Sequence, residues 1–153
     1  MKKFLLPLIA LLTLLCGCTK YYVTEEHYNV QGLDMTLVDF TVNEADWTYR
    51  EAGGSHNEAF YEAILEVPQI TKDVIERGLV LVYVQKTDDA GKLGWSPLPS
   101  LFTDFVELED GTAYFTNCND FECFQGRVNV FFTSSDLQTE NPGTQVYRVA
   151  IQL

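Results

Sequence analysis

Hydrophobic residues follow two regimes along this chain. The first is a nearly continuous block from Phe4 to Leu15, interrupted only by Pro7 and Thr13. From Leu33 onward, apolar and polar positions alternate in short runs separated by turn-forming residues, the period-two signature of half-buried strands. Val38, Phe40 and Val42 share one face and Asp39 and Thr41 the other. Trp47-Thr48-Tyr49 alternates again before the turn residues Gly53-Gly54-Ser55. Glu58 to Val67 fits either a helical stripe or a strand; Pro68 and the β-rich flanks favour a strand with Tyr61, Ala63, Leu65 and Val67 inward.

Ile70 to Gly78 predicts one short helical turn, with Thr71 as N-cap and Gly78 just past its end. Leu79 to Val84 is apolar on both faces and predicts a central strand covered on two sides. Trp95 to Pro99 reads as an extended, Pro-rich connection. Phe105, Val106 and Leu108 lead to Asp110-Gly111, which signals a hairpin returning through Thr112 to Cys118. Gly126 to Thr133 and Gln145 to Leu153 complete the set. About seven strands with one helical turn predict an all-β fold, an antiparallel β-sandwich of immunoglobulin-like shape.

The apolar block near the N-terminus has a different meaning. Lys2 and Lys3 precede it, and about a dozen apolar residues suit a secretion signal better than a spanning helix of about 20. Leu15-Cys16-Gly17-Cys18 follows and resembles the bacterial lipobox. That resemblance implies cleavage after Gly17 and lipidation of Cys18, with Cys16 leaving in the leader. The organisation expected is therefore a signal peptide at 1–17, a lipid-anchored tether at 18–31 and a β-sandwich domain at 32–153. For the tether, a strand added to the domain edge is an equal alternative.

Loss of Lys2 and Lys3 leaves eight basic residues against 22 acidic ones, a net charge of −14. Such a chain repels nucleic acid and anionic lipid, so membrane contact is expected through the N-terminal lipid alone. The acids form no D-x-[DN]-x-[DN]-G calcium loop, and the clusters Asp88-Asp89, Glu107-Glu109-Asp110 and Asp120-Glu122 are better read as solvated charge. No cofactor or metal is expected.

Cys118 and Cys123 remain after lipidation is assigned. They bracket Asn119-Asp120-Phe121-Glu122, read here as a turn, and in an oxidising compartment the expectation is a disulfide closing a hairpin. Their spacing suits neither zinc nor a Cys-x-x-Cys redox centre. His27 and His56 sit in predicted loop positions, and no Gly-x-Ser-x-Gly elbow, His-Glu-x-x-His helix or Walker loop occurs. The adjacent Ser55-His56 pair cannot face its side chains together as catalysis requires. The reading is therefore non-catalytic.

Across most of the domain, Trp47, Tyr61, Val67-Pro68-Gln69-Ile70-Thr71, Gly78-Leu79-Val80, Leu98-Pro99, Gly126 to Val130 and Tyr147-Arg148-Val149 resemble a group of functionally uncharacterised Bacteroidota lipoproteins. The resemblance implies lipid anchoring and a β-sandwich, and supplies no site residues. Thr19 after the cysteine resembles lipoproteins sorted to the outer membrane, on either its periplasmic or its surface side. Two functions are expected: a structural or protein-interaction role for a lipid-anchored envelope protein, or a carbohydrate-binding module that stacks glycans on Trp95 and Trp47.

Overall fold

The structure is a computed structural model, and it describes residues 23–30, 33–53, 58–135 and 140–153. The leader, Cys18, most of the tether's first half and Ser55-His56 lie outside the described residues. Two antiparallel five-stranded sheets face each other. The first runs β1 (Val23–Val30), β2 (Leu33–Val42), β10 (Gln145–Gln152), β5 (Leu79–Thr87) and β6 (Leu93–Pro97). In the second, β3 (Thr48–Arg50), β4 (Phe60–Glu66), β9 (Arg127–Ser134), β8 (Gly111–Phe124) and β7 (Ser100–Leu108) lie side by side. The all-β sandwich is as the alternation predicts, with ten strands in place of about seven.

Two strands are additional and a third is longer than the pattern predicts. Val23–Val30 is not free tether: it pairs along its whole length with β2, from Val23 opposite Phe40 to Val30 opposite Leu33. His27 therefore lies in a strand and not in a loop. The Pro-rich connection is partly strand, since Leu93–Pro97 pairs with β5 before the chain crosses to the other sheet at Leu98-Pro99. Finally, Ser100–Leu108 pairs with β8 over nine positions, earlier than the predicted strand start near Phe105.

Alternation builds the core. Val38, Phe40, Val42, Val82, Val84, Tyr147, Val149 and Ile151 point inward from the first sheet. Ala63, Leu65, Val128, Val130 and Phe132 meet them from the second. Each full burial of such a side chain contributes roughly 1.5–3 kcal/mol. Val67, Ile70 and Val74 close one end. There the helix α1 (Lys72–Arg77) starts at Thr71, whose Oγ1 accepts a bond from the Val74 amide at 3.3 Å. Gly78 ends it under a steric demand: a Cβ there would stand 2.5 Å from the Gln152 carbonyl oxygen and 2.9 Å from that of Val74.

The other end is closed by Trp47, which follows the 3-10 turn Glu44–Asp46. Its ring packs edge-on to Tyr147 at a centroid distance of 6.2 Å, and its Nε1 donates to the Gly143 carbonyl at 2.8 Å. Tyr147 is fully buried, and its hydroxyl donates across the sandwich to Asn119 Oδ1 at 2.9 Å. Burial pushes the Tyr147 phenol well above its ordinary pKa, so it stays a donor.

Tyr147→Phe should cost about 1–3 kcal/mol in urea unfolding, because it strands the buried Asn119 carbonyl. A phenol whose pKa is raised by folding contributes stability that is complete below its unfolded pKa, about 10, and is lost as pH rises above that value. The wild type should therefore lose more stability than Tyr147→Phe between about pH 9 and 11, measured by urea midpoints.

Candidate functional site

Cys118 and Cys123 do not bracket a turn. β8 continues without interruption from Gly111 to Phe124, and both cysteines are free thiols on that one strand. Five steps of about 3.4 Å separate their Cα atoms by roughly 17 Å, against a ceiling near 7 Å for a disulfide. The odd spacing also puts them on opposite faces. Cys123 packs against the core opposite Val128, while Cys118 lies between Leu101 and Thr133 on the outer face. The expected disulfide is thus corrected. The turn falls instead at Gln125-Gly126, where Gly126 takes φ +80° and Phe124 pairs with Arg127. Asn119 was misread as a turn former; it is fully buried, bonded to Tyr147.

The two tryptophans divide. Trp47 is only 7% exposed and caps the core, so it offers no stacking platform. Trp95 stands on the outer face of the first sheet opposite Gln85, half-buried. The Arg148 guanidinium lies 4.2 Å from its ring centroid, and the same guanidinium grips Asp39 through two bonds of 2.7 Å. Met35, Leu37, Tyr83 and Ala150 complete a shallow cleft of about 250 Å³ beside it. This outer face also corrects the expectation for Leu79 to Val84. Val82 and Val84 are buried, yet Leu79 and Leu81 are exposed, so nothing within the described residues covers the strand on that side.

Sequence reasoning missed the most exposed apolar surface. β8 pairs with β9 only from Asn117 onward, whereas its pairing with β7 runs out to Leu108 opposite Gly111. Residues 104–108 and 111–115 therefore form a two-stranded ribbon that reaches past the sheet. One more rung, Ser135 N to Thr116 O at 3.0 Å, ties its root. On its outer face Phe105 is 56% and Tyr114 73% exposed, cross-strand partners with rings 6.3 Å apart, and Leu101, on the same side of the sheet below the ribbon, is 67% exposed. On its other face Val106 and Leu108 are exposed as well. The available signal was electrostatic: between Lys92 and Arg127 the chain holds six acids and no base.

Among the described residues, no three His, Cys, Asp or Glu side chains converge as a metal site, and no helix is long and apolar enough to cross a membrane. The nucleophiles are subdued. Burial raises the pKa of both thiols, and for Cys118 the nearby Asp120 carboxylate raises it further. Peptide mapping without reductant should recover both as free thiols. Iodoacetamide at neutral pH should alkylate them more slowly in the folded protein than in urea, with the rate rising as pH rises, since the thiolate is the nucleophile.

The comparisons add no relative: no family model matches the chain, and neither a curated protein nor a solved structure shows significant similarity to it.

Proposed function

We propose that this is a lipid-anchored envelope protein, held to the outer membrane through Cys18, with a non-catalytic role in binding another protein. The observation that carries the binding role is the ribbon. An isolated two-stranded hairpin is marginal in water, and exposed apolar clusters on soluble domains mark interaction sites. This ribbon exposes Phe105 and Tyr114 on one face, with Leu101 at its root on that same side, and Val106 and Leu108 on the other face. It also belongs to an edge strand, β7, whose outer backbone groups have no neighbour in the sheet. An added strand would find hydrogen-bonding groups on that edge and alternate side-chain positions beside it. With Asp104, Glu107, Glu109 and Asp110 at hand and no base, the fitting partner segment is extended, apolar on alternate positions and basic between them.

A second reading rests on Trp95. An indole beside an Arg-Asp pair offers a sugar both a ring and hydrogen-bonding groups. Against it, the guanidinium covers one ring face, and the rest of the cleft is Met35, Leu37, Tyr83 and Ala150. A glycan needs more polar partners than that wall supplies.

Two measurements test the proposal. Cys18→Ala should abolish incorporation of a fatty-acid analogue, and continued labelling would refute the anchor. For binding, Phe105→Ser with Tyr114→Ser changes exposed side chains alone and should leave stability within about 0.5 kcal/mol. Proteins crosslinked to the wild type in intact envelopes should be lost from the double variant and retained by Trp95→Ala. Unchanged capture by the ribbon variant, or loss of glycan retention in Trp95→Ala, would overturn the protein-binding reading.

A further inference from the structure

At the root of the ribbon, a cavity of about 210 Å³ lies between the inner face of the second sheet and the β9–β10 connection. Its walls are unusual for their oxygen content: Asp104, Asn117, Ser134, Glu140 and Asn141, with Phe115 and Phe132 as the apolar remainder. Register explains how three of these meet. Asn117 and Ser134 are direct cross-strand partners on β8 and β9. Asp104 is opposite Phe115, two positions from Asn117 along the same face. Cβ atoms of direct partners stand about 4.5–5.5 Å apart and diagonal ones about 7–8 Å. Glu140 and Asn141 enter from the connection between β9 and β10, where Asn141 is fixed by a bond from its Nδ2 to the Glu44 carbonyl and one from the Gly143 amide to its Oδ1.

The floor of this cavity is unsatisfied. Asn117 is 6% and Ser134 7% exposed, yet Asn117 Oδ1 and Ser134 Oγ have no hydrogen-bond partner. Of the five buried side-chain atoms without partners among the described residues, these two belong to residues that line one cavity. An acceptor oxygen left bare in an interior costs about 1–3 kcal/mol, which a ligand of the right kind would recover. The rim holds two carboxylates, and among the described residues no lysine, arginine or histidine lines the cavity to balance them. The half-buried Lys86 ammonium is instead held over the Phe102 ring, 3.8 Å from its centroid.

We propose that this cavity is a calcium site, with the Asp104 and Glu140 carboxylates, Asn117 Oδ1 and Ser134 Oγ as its protein ligands and water filling the remaining positions. Every donor is oxygen, and the set mixes carboxylate, amide and hydroxyl groups, as hard divalent cations require. Calcium fits better than magnesium because it accepts six to eight oxygens in irregular geometry, and side chains from three strands and a connection rarely meet an octahedral demand. Sequence patterning could not reveal it, since the ligands are spread from residue 104 to residue 140 and share no loop. Two carboxylates with an open rim place the affinity among weak sites, with Kd roughly 10⁻⁴ to 10⁻³ M.

The test uses the full-length protein in detergent, stripped with chelator and titrated with calcium chloride by calorimetry and thermal unfolding. One saturable site and a rising unfolding midpoint are expected. Asp104→Asn and Glu140→Gln should each weaken binding by about ten-fold or more and reduce the midpoint shift, while Asp88→Asn leaves both unchanged. Glu140 lies in a connection outside the strands, so its variant keeps the fold, which far-UV circular dichroism verifies. Absence of binding up to about 10 mM calcium, unchanged binding in the Asp104→Asn, Glu140→Gln double variant, or equal affinity for magnesium would each overturn the assignment.

Discussion

Burial of alternate side chains holds the two sheets together, but that force has no direction, and the bond from Tyr147 to Asn119 supplies one. Tyr147 sits on β10 between β2 and β5, at the centre of the first sheet. Asn119 sits on β8, beside β9 and β7 in the second. A slip of either strand by one residue would turn these groups to the opposite face and strand two polar atoms in an apolar interior. Trp47 reinforces the same point by packing its ring against Tyr147 and anchoring its nitrogen to Gly143. This polar contact across the sandwich thus helps fix which residues of β8 face inward. Cys123 and Phe121 are inner-face residues for this reason, and Cys118 is an outer one.

Period-two patterning made the sandwich legible wherever one face is apolar and the other polar. β2 alternates cleanly, and Val38, Val130 and Val149 are buried as the pattern requires. The helix was legible from Thr71 and Gly78, because both act through local backbone geometry. Patterning failed where polar residues face inward. Asn119 resembles a turn former in the sequence, and only its cross-strand and cross-sheet surroundings make it a strand residue. That error created the expected Cys118–Cys123 bridge. Patterning failed again where apolar residues face outward: Leu79 and Leu81 gave a doubly covered strand in the sequence, and they are exposed in the fold. Burial against a partner outside the chain and burial within it leave the same trace in a sequence.

That ambiguity explains why the candidate sites were hardly visible. Trp47 and Trp95 are chemically equal in the sequence, yet one closes the core and the other lies under Arg148 on the surface. The ribbon residues Phe105 and Tyr114 look like ordinary strand aromatics until β9 stops at Ser134 and leaves them without a covering neighbour. The charge distribution was the more informative signal. A stretch of 34 residues with six acids and no lysine or arginine makes the β7–β8 arm acidic. Such a field selects basic partners and repels a second copy of the same arm.

Asp104 connects the two surfaces that the structure brings forward. It lies on the cavity rim, and it is also the first residue of the ribbon beyond the last pairing of β8 with β9. Its carboxylate already accepts a bond from the Phe105 amide at 2.9 Å, so the cavity and the exposed aromatic pair share a backbone step. Calcium in the proposed site would join β7 and the β9–β10 connection through a single ion, at the place where the ribbon leaves the sheet. The ribbon has few packing contacts of its own, and its orientation depends on how that root is held. Cation binding would therefore act on the docking surface without touching it, by narrowing the orientations from which Phe105 and Tyr114 must be captured. A partner that binds the ordered arm avoids part of the entropic cost of fixing it, and the linkage is reciprocal: a docked strand that holds β7 in place would in turn tighten calcium.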